Sequence, residues 1–240
     1  MDIILHHHLG LGDHFICNAL VLTVAKQYDK VHLISWSRNL PTVNHLYADY
    51  ENIEVHGIVN EPQDIIELSK ALQLQVLAVG FQHCDINDFE ASCYRQLNLD
   101  PDIQYSEFRL PSDLANANKM YQNWYQEHGS EDYIFVHDTS SVGKFDLKIS
   151  GDMLQYRTDV SQTRDLLDYI VLIQNAREIH VINSSIQALI WPMLKQGLIP
   201  RADIFYHDVR NSAQGGAAVR IPQDPRVTTV KYNNEYVMTI

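Results

Sequence analysis

The chain has 240 residues, 45% of them hydrophobic and 20% charged, so it can bury a real core and is neither a disordered tail nor a small disulfide-stapled domain. At ~100–200 residues per domain, the length allows one large domain or two small ones. A net charge of −12 repels nucleic-acid backbones and anionic bilayers, so polynucleotide binding is not expected.

Residues 1–5 form an apolar β-type run that stops at His6-His7-His8-Leu9-Gly10-Leu11-Gly12-Asp13. Phe15, Ile16, Ala19, Leu20, Thr23 and Val24 follow at helical spacing, which reads as strand, Gly-rich turn and helix. The pattern then predicts strands over 31–35, 53–55 and 76–79 and helices over 40–50, 62–72 and 88–97. Strands alternating with helices imply a parallel sheet. A long helix is expected over 113–128 and a domain junction at 105–130, giving units 1–112 and 113–240. The second unit repeats the alternation, with strands over 133–136, 178–182, 204–206 and 227–231. A polar loop is expected over 137–143, a β-like run over 145–149, and helices over 163–175 and 184–195, the last kinked or shortened by Pro192.

Charge is uneven between the halves. Residues 1–112 hold 6 basic and 15 acidic side chains, and residues 113–240 hold 12 and 15, so a small anionic ligand is expected in the second half. Cys17, Cys84 and Cys93 have no CxxC spacing and follow no secretory signal. Free thiols in a reducing, cytoplasmic setting are expected. No apolar run approaches the ~18 residues of a membrane span, so no integral membrane segment is expected.

Three polar segments follow strand ends, where open α/β sheets present ligands. In the first, Gly10 and Gly12 are expected to permit positive φ and close backbone approach. The third glycine of a dinucleotide fingerprint is replaced by Phe15, and no acidic residue closes the second strand, which disfavours NAD or FAD. Asp13 either caps the helix it begins or accepts a proton from a substrate hydroxyl, and one carboxylate can do both. Of the three histidines only His6 and His8 share a strand face, and no metal site is expected.

The second segment is His137-Asp138-Thr139-Ser140-Ser141-Val142-Gly143-Lys144. It reads either as an ordinary polar loop or as the hydroxyls, backbone N–H groups and ammonium that a diphosphate requires. Lys148, Arg157 and Arg164 are further basic candidates. The third segment, Asn183-Ser184-Ser185, opens a helix with the stripe Ile186, Leu189, Ile190, Met193 and Leu194. Its hydroxyls suit either simple capping or anion binding.

Together the three segments resemble those of a GT-B glycosyltransferase of the heptosyltransferase-like branch, family 9. The resemblance implies an α/β chain of two small Rossmann-like halves whose parallel sheets face a central cleft. The N-terminal half would take the acceptor and the C-terminal half a nucleotide-diphosphate sugar. It implies that Asp13 deprotonates an acceptor hydroxyl, with His8 and His14 on the acceptor side. Gly12, His137, Thr139, Ser140, Lys144, Arg157, Asn183, Ser184 and Ser185 would bind the donor phosphates. The family's D-[ST]-G-x-x-H element stands here as Asn183-Ser184-Ser185-Ile186-Gln187-Ala188, without its Gly and His. Asp152 and Asp159 are the candidates for a ribose-binding carboxylate.

The implied activity is inverting transfer of a sugar to a hydroxyl, expected to be that of a glycan, without cofactor or metal. Asp100-Pro101-Asp102 fits an Asp-x-Asp string, but Pro101 makes it a turn. The alternatives are a nucleotide-sugar epimerase or hydrolase of similar fold and a non-catalytic nucleotide-binding module.

Overall fold

The computed structural model describes residues 1–85, 87–129, 132–209, 219–232 and 238–239. The chain divides into two compact units, Met1–Ser112 and Asp113–Ile240. In the first, β1 (Asp2–His6), β2 (Lys30–Trp36), β3 (Ile53–Ile58) and β4 (Val76–Ala78) make a parallel sheet of order β3-β2-β1-β4. Ile3, Ile4 and Leu5 of β1 and Val31, Leu33 and Ile34 of β2 are buried in unbroken runs, the pattern of central parallel strands covered on both faces. The helices are α1 (Leu11–Ile16), α2 (Asn18–Ala25), α3 (Leu40–Leu46), α4 (Gln63–Leu72), α5 (Phe89–Gln96) and α6 (Ile103–Ser106). On one face, Ile65 and Leu68 of α4 pack with Ile4, Ile34 and Ile58.

The single helix expected after β1 is two helices, broken at Cys17. There the Tyr94 hydroxyl donates to the Ile16 carbonyl at 2.6 Å, and the Asn18 side chain accepts from the Arg109 N–H at 2.9 Å. Contacts made some 80 residues away in sequence thus override a continuous helical pattern. The expected 40–50 helix also ends early, at Leu46, and passes into turns around the buried Tyr47.

The second unit begins with α7 (Ala115–His128) and contains β5 (Tyr133–His137), β6 (Thr139–Ser140), β7 (Gly143–Phe145), β8 (Leu154–Arg157), α8 (Ile170–Asn175), β9 (Glu178–Ile182), α9 (Ser185–Lys195), β10 (Asp203–Asp208), β11 (Val227–Lys231) and β12 (Met238–Thr239). Five of these strands form a parallel sheet of order β11-β10-β9-β5-β8. The others form a small antiparallel sheet, β12-β7-β6. Phe135 of β5 is fully buried and lies parallel to Tyr156 of β8, centroids 6.1 Å apart. Residues 186–194 of α9 are all buried, as expected of a helix that is apolar on every side.

Three expectations change here. The polar 137–143 loop contains the β6–β7 hairpin, in which Thr139 pairs with Lys144 and Ser140 with Gly143. The β-like run expected over 145–149 ends at Phe145. The 163–175 helix is a 3-10 turn, Leu166–Tyr169, followed by α8; Asp165 caps the turn by accepting from Leu167 N–H at 3.0 Å, which delays the helix. Helix α9, Ser185–Lys195, keeps the expected bounds with Pro192 inside it.

Cys17, Cys84 and Cys93 carry no disulfide. Among the described residues, no helix is long and apolar enough to cross a membrane. The central position of Phe135 gives a direct check on the core of the second unit. Phe135→Ala is expected to lower its unfolding free energy by about 3–5 kcal/mol, measured by urea denaturation against the wild-type chain.

Candidate functional site

The turn after β1 is built around the Asp13 carboxylate. Gly10 caps α1 with extended backbone, φ −61°, ψ 145°, and its N–H donates to Asp13 Oδ2 at 3.1 Å. Gly10 is therefore not required for a positive φ, contrary to the expectation for this turn. A Cβ at residue 10 would lie 2.6 Å from Asp13 Oδ2, so a larger residue there would push the carboxylate aside. Asn39, itself buried, donates to the Leu9 carbonyl at 3.0 Å and braces the same turn.

Asp13 is half-buried. Burial pushes its carboxyl up to about 6; the Gly10 N–H opposes this, and the nearby Glu90 charge adds to it. Glu90, on α5, is buried and accepts from Gln104 Nε2 at 3.0 Å. No sequence signal marks it, because its effect depends on a helix that returns to the turn 77 positions later. Gly12 lies beside Asp13 in the first turn of α1.

His6 closes β1, and His7 and His8 follow beyond its end. His6 and His8 converge on the Phe81 ring, with centroids 4.5 and 4.7 Å away, and His6 Nε2 meets Glu61 at 2.8 Å. His8 Nε2 accepts the Phe81 N–H at 2.8 Å, which leaves the proton of the neutral ring on Nδ1. Burial lowers the pKa of His8. Gly80 is indispensable here: its φ is +101°, and a Cβ would sit 2.5 Å from the His8 ring. His7 points the other way, edge-on to His14 with centroids 4.6 Å apart. His14 is fully buried, and burial holds its pKa far down, so the structure places it in the interior rather than at a ligand-facing surface.

In the second unit the remaining candidates lie at the carboxyl ends of three neighbouring strands, β9, β5 and β8. Their organising group is Asp138, which is nearly fully buried. Arg157 Nη1 pairs with its Oδ2, Lys144 Nζ lies 3.9 Å from the same oxygen, and the Thr139 hydroxyl donates to Oδ1 at 3.1 Å. Arg157 and Lys144 keep exposed side chains, so both cations face solvent beside the buried carboxylate. Asp138 has a legible signal, an acid directly after a strand end within the Lys-bearing segment, although its partners are not legible.

His137 is buried, and desolvation lowers it to about 4; Nδ1 lies 2.7 Å from the Thr158 hydroxyl. The Ser140 hydroxyl accepts from Val142 N–H at 3.3 Å and closes the hairpin turn. Ser184 caps α9 by accepting from Gln187 N–H at 3.4 Å, while Asn183 and Ser185 flank it half-buried. Lys148 lies over the Tyr232 ring, 5.6 Å from its centroid, instead of joining the Asp138 cluster. Of the two ribose candidates, Asp159 is close enough to Lys144 for the ammonium to help lower its pKa, after the larger effect of hydrogen bonds from Ser161. A cavity of about 850 Å³ opens beside Arg157, bounded by Lys119, Asn123 and Trp124 of α7 with Tyr156 and Gln162.

Neither a protein-family model nor a curated protein sequence matches the chain. Solved structures do, and two of them are as follows. One is the crystal structure of a glycosyl transferase family 9 protein from Veillonella parvula DSM 2008, with TM-score 0.55 and 10% identity over 96% of this chain and 86% of that one. The other is the E. coli ADP-heptose LPS heptosyltransferase II, with TM-score 0.49 and 10% identity over 96% and 90%. At this identity the first likeness is one of fold: mixed α/β with parallel sheets, similar to GT-B-like proteins.

Proposed function

We propose that the chain is a glycosyltransferase that moves a sugar from a nucleotide-diphosphate sugar to an acceptor hydroxyl, with inversion and without a metal in the transfer step. The observation that carries this reading is Asp13, a half-buried carboxylate with a pKa near 6 in the turn after β1. A base is most effective when its pKa lies near the working pH, because it is then ionised yet still basic enough to take a proton. The family 9 structure supports the same class through its fold.

In this mechanism the Gly10 N–H fixes one oxygen of Asp13, and the other removes the acceptor proton as the hydroxyl attacks the anomeric carbon. The sugar–phosphate bond breaks in the same displacement. Charge that develops on the departing diphosphate is met by Lys144 and Arg157, with the Thr139 and Ser140 hydroxyls and the Ser184–Ser185 end of α9 beside them. Asp138 holds both cations in place before the donor arrives. The cavity beside Arg157 is of the size that small-molecule sites have and takes the nucleoside.

Turnover of a matched donor and acceptor is expected to fall about 10²–10⁴-fold in Asp13→Asn. In the wild type, kcat/KM should rise with pH through about 6, as the carboxylate ionises. Retention of activity within a few-fold of wild type in Asp13→Asn would remove Asp13 as the base. Donor consumption without an acceptor would instead mark a hydrolase.

The raised pKa also sets a stability prediction. Below about pH 4 the carboxyl is protonated in both folded and unfolded chains, and it costs nothing. As pH rises through the folded value of about 6, the buried charge progressively destabilises the fold. Asp13→Asn is therefore expected to raise the stability of the first unit by about 1–2 kcal/mol at pH 7.5, with the gain vanishing near pH 4. Thermal melts across that range check it.

Lys144→Ala is expected to weaken nucleoside-diphosphate binding about ten-fold, the worth of one charge-assisted hydrogen bond. Calorimetric titration measures the change, and unaltered affinity would take the hairpin out of the donor site.

A further inference from the structure

At the edge of the first sheet, β2 and β3 place two imidazoles and a carboxylate at one point. The parallel register sets His32 opposite Glu54 and Ile34 opposite His56, so residues 32, 54 and 56 share a face. His32 Nδ1 and His56 Nε2 are 2.8 Å apart. Glu54 Oε1 lies 3.6 Å from His56 Nε2, and Oε2 lies 3.9 Å from His32 Nδ1. One ligand atom from each residue falls within 4.8 Å of the other two. Lys30 Nζ holds Glu54 Oε2 at 2.5 Å, which leaves Oε1 for a second partner.

We propose that His32, His56 and Glu54 bind one divalent transition-metal ion of the zinc type. Two imidazole nitrogens and a carboxylate are a donor set that such ions accept at ~2.0–2.2 Å, with ligand atoms roughly 3.3 Å apart in a tetrahedron. The His32 Nδ1–His56 Nε2 spacing of 2.8 Å and the 3.6 Å from His56 Nε2 to Glu54 Oε1 bracket that value, and the ligand atoms of all three residues lie within 4.8 Å of one another, so side-chain adjustments on the order of an ångström complete the geometry. One ring moves the proton of the His–His contact to its other nitrogen, and both then offer lone pairs. The His32 side chain is 7% exposed, that of His56 21% and that of Glu54 46%. The site is therefore closed behind and open in front, where water supplies the fourth ligand.

The second sheet holds an internal contrast. His180 of β9 and His207 of β10 make the same diagonal contact, Nδ1 to Nε2, at 2.8 Å. There, however, Glu178 meets His180 on its other nitrogen, Nε2, at 3.3 Å, and His207 Nδ1 is taken by the Tyr232 hydroxyl at 2.6 Å. The carboxylate and the second imidazole lie on opposite edges of the His180 ring and cannot share an ion. The site on β2 and β3 lies toward the amino ends of its strands, away from the Asp13 turn. Its ion would cross-link the edge strand to its neighbour and is independent of the transfer chemistry.

The test is titration of the chelator-stripped full chain with Co²⁺ alone, followed by visible absorption, and then with Zn²⁺. One Co²⁺ per chain is expected, displaced by Zn²⁺, and Zn²⁺ should raise the melting temperature. His56→Ala and Glu54→Gln should each weaken binding at least about ten-fold and abolish the Zn²⁺ shift, while Glu178→Gln binds as wild type. Glu54 is exposed, so its variant decides the matter should His56→Ala fail to fold. The proposal is overturned if the wild type takes up no Co²⁺, if Glu54→Gln keeps its affinity, or if Glu178→Gln loses as much.

Discussion

Burial of the central parallel strands on both faces is the constraint from which the rest of this structure follows. The interiors of β1, β2, β5 and β9 are almost wholly inaccessible, so charged chemistry is confined to strand ends and sheet edges. Polar side chains that do lie within these strands are held neutral or paired. His137 of β5 is pushed down to about 4 by desolvation, and His180 of β9 meets His207 through its Nδ1. An imidazole can occupy a strand interior because it survives there uncharged, whereas a carboxylate cannot without compensation.

The two carboxylates at strand ends show two ways of meeting that cost. Asp138 is compensated by Arg157 and Lys144 from other strands, and it serves to position them. Asp13 receives a single N–H at its Oδ2, from Gly10, and feels Glu90 nearby. It keeps the cost of its charge as a raised pKa. Environment alone thus gives two aspartates that follow strand ends different electrostatics, one paired with cations and the other with a raised pKa.

The strand–helix alternation was legible because central parallel strands read as unbroken apolar runs. Edge strand β8 was not: Leu154-Gln155-Tyr156-Arg157 buries only Tyr156 and gives too short a pattern to separate from loop. The β6–β7 hairpin was hidden for a related reason, since Thr139 and Ser140 are small polar residues that suit a loop equally well. Sequence marked the polar segments after the strand ends but not the contacts between them. Arg157 reaches Asp138 across 19 positions and Phe81 reaches His8 across 73; such pairs are set by sheet order, which local periodicity does not encode. Ser184 shows the reverse limit, because its capping of Gln187 uses the same hydroxyl that an anion would.

The Gly-rich turn illustrates how one residue pattern serves unlike purposes. In a dinucleotide fold, glycines after the first strand let backbone approach a phosphate. Here the described glycines with positive φ do not include Gly10 or Gly12, and the space a Cβ would fill at residue 10 is occupied by the protein's own carboxylate, 2.6 Å away. The turn therefore brings a negative charge of its own to the place where a phosphate would otherwise lie. Repulsion by that charge disfavours a phosphate there and favours a neutral hydroxyl able to donate to it. The glycine that looks like a nucleotide signature thus serves the protein's own carboxylate.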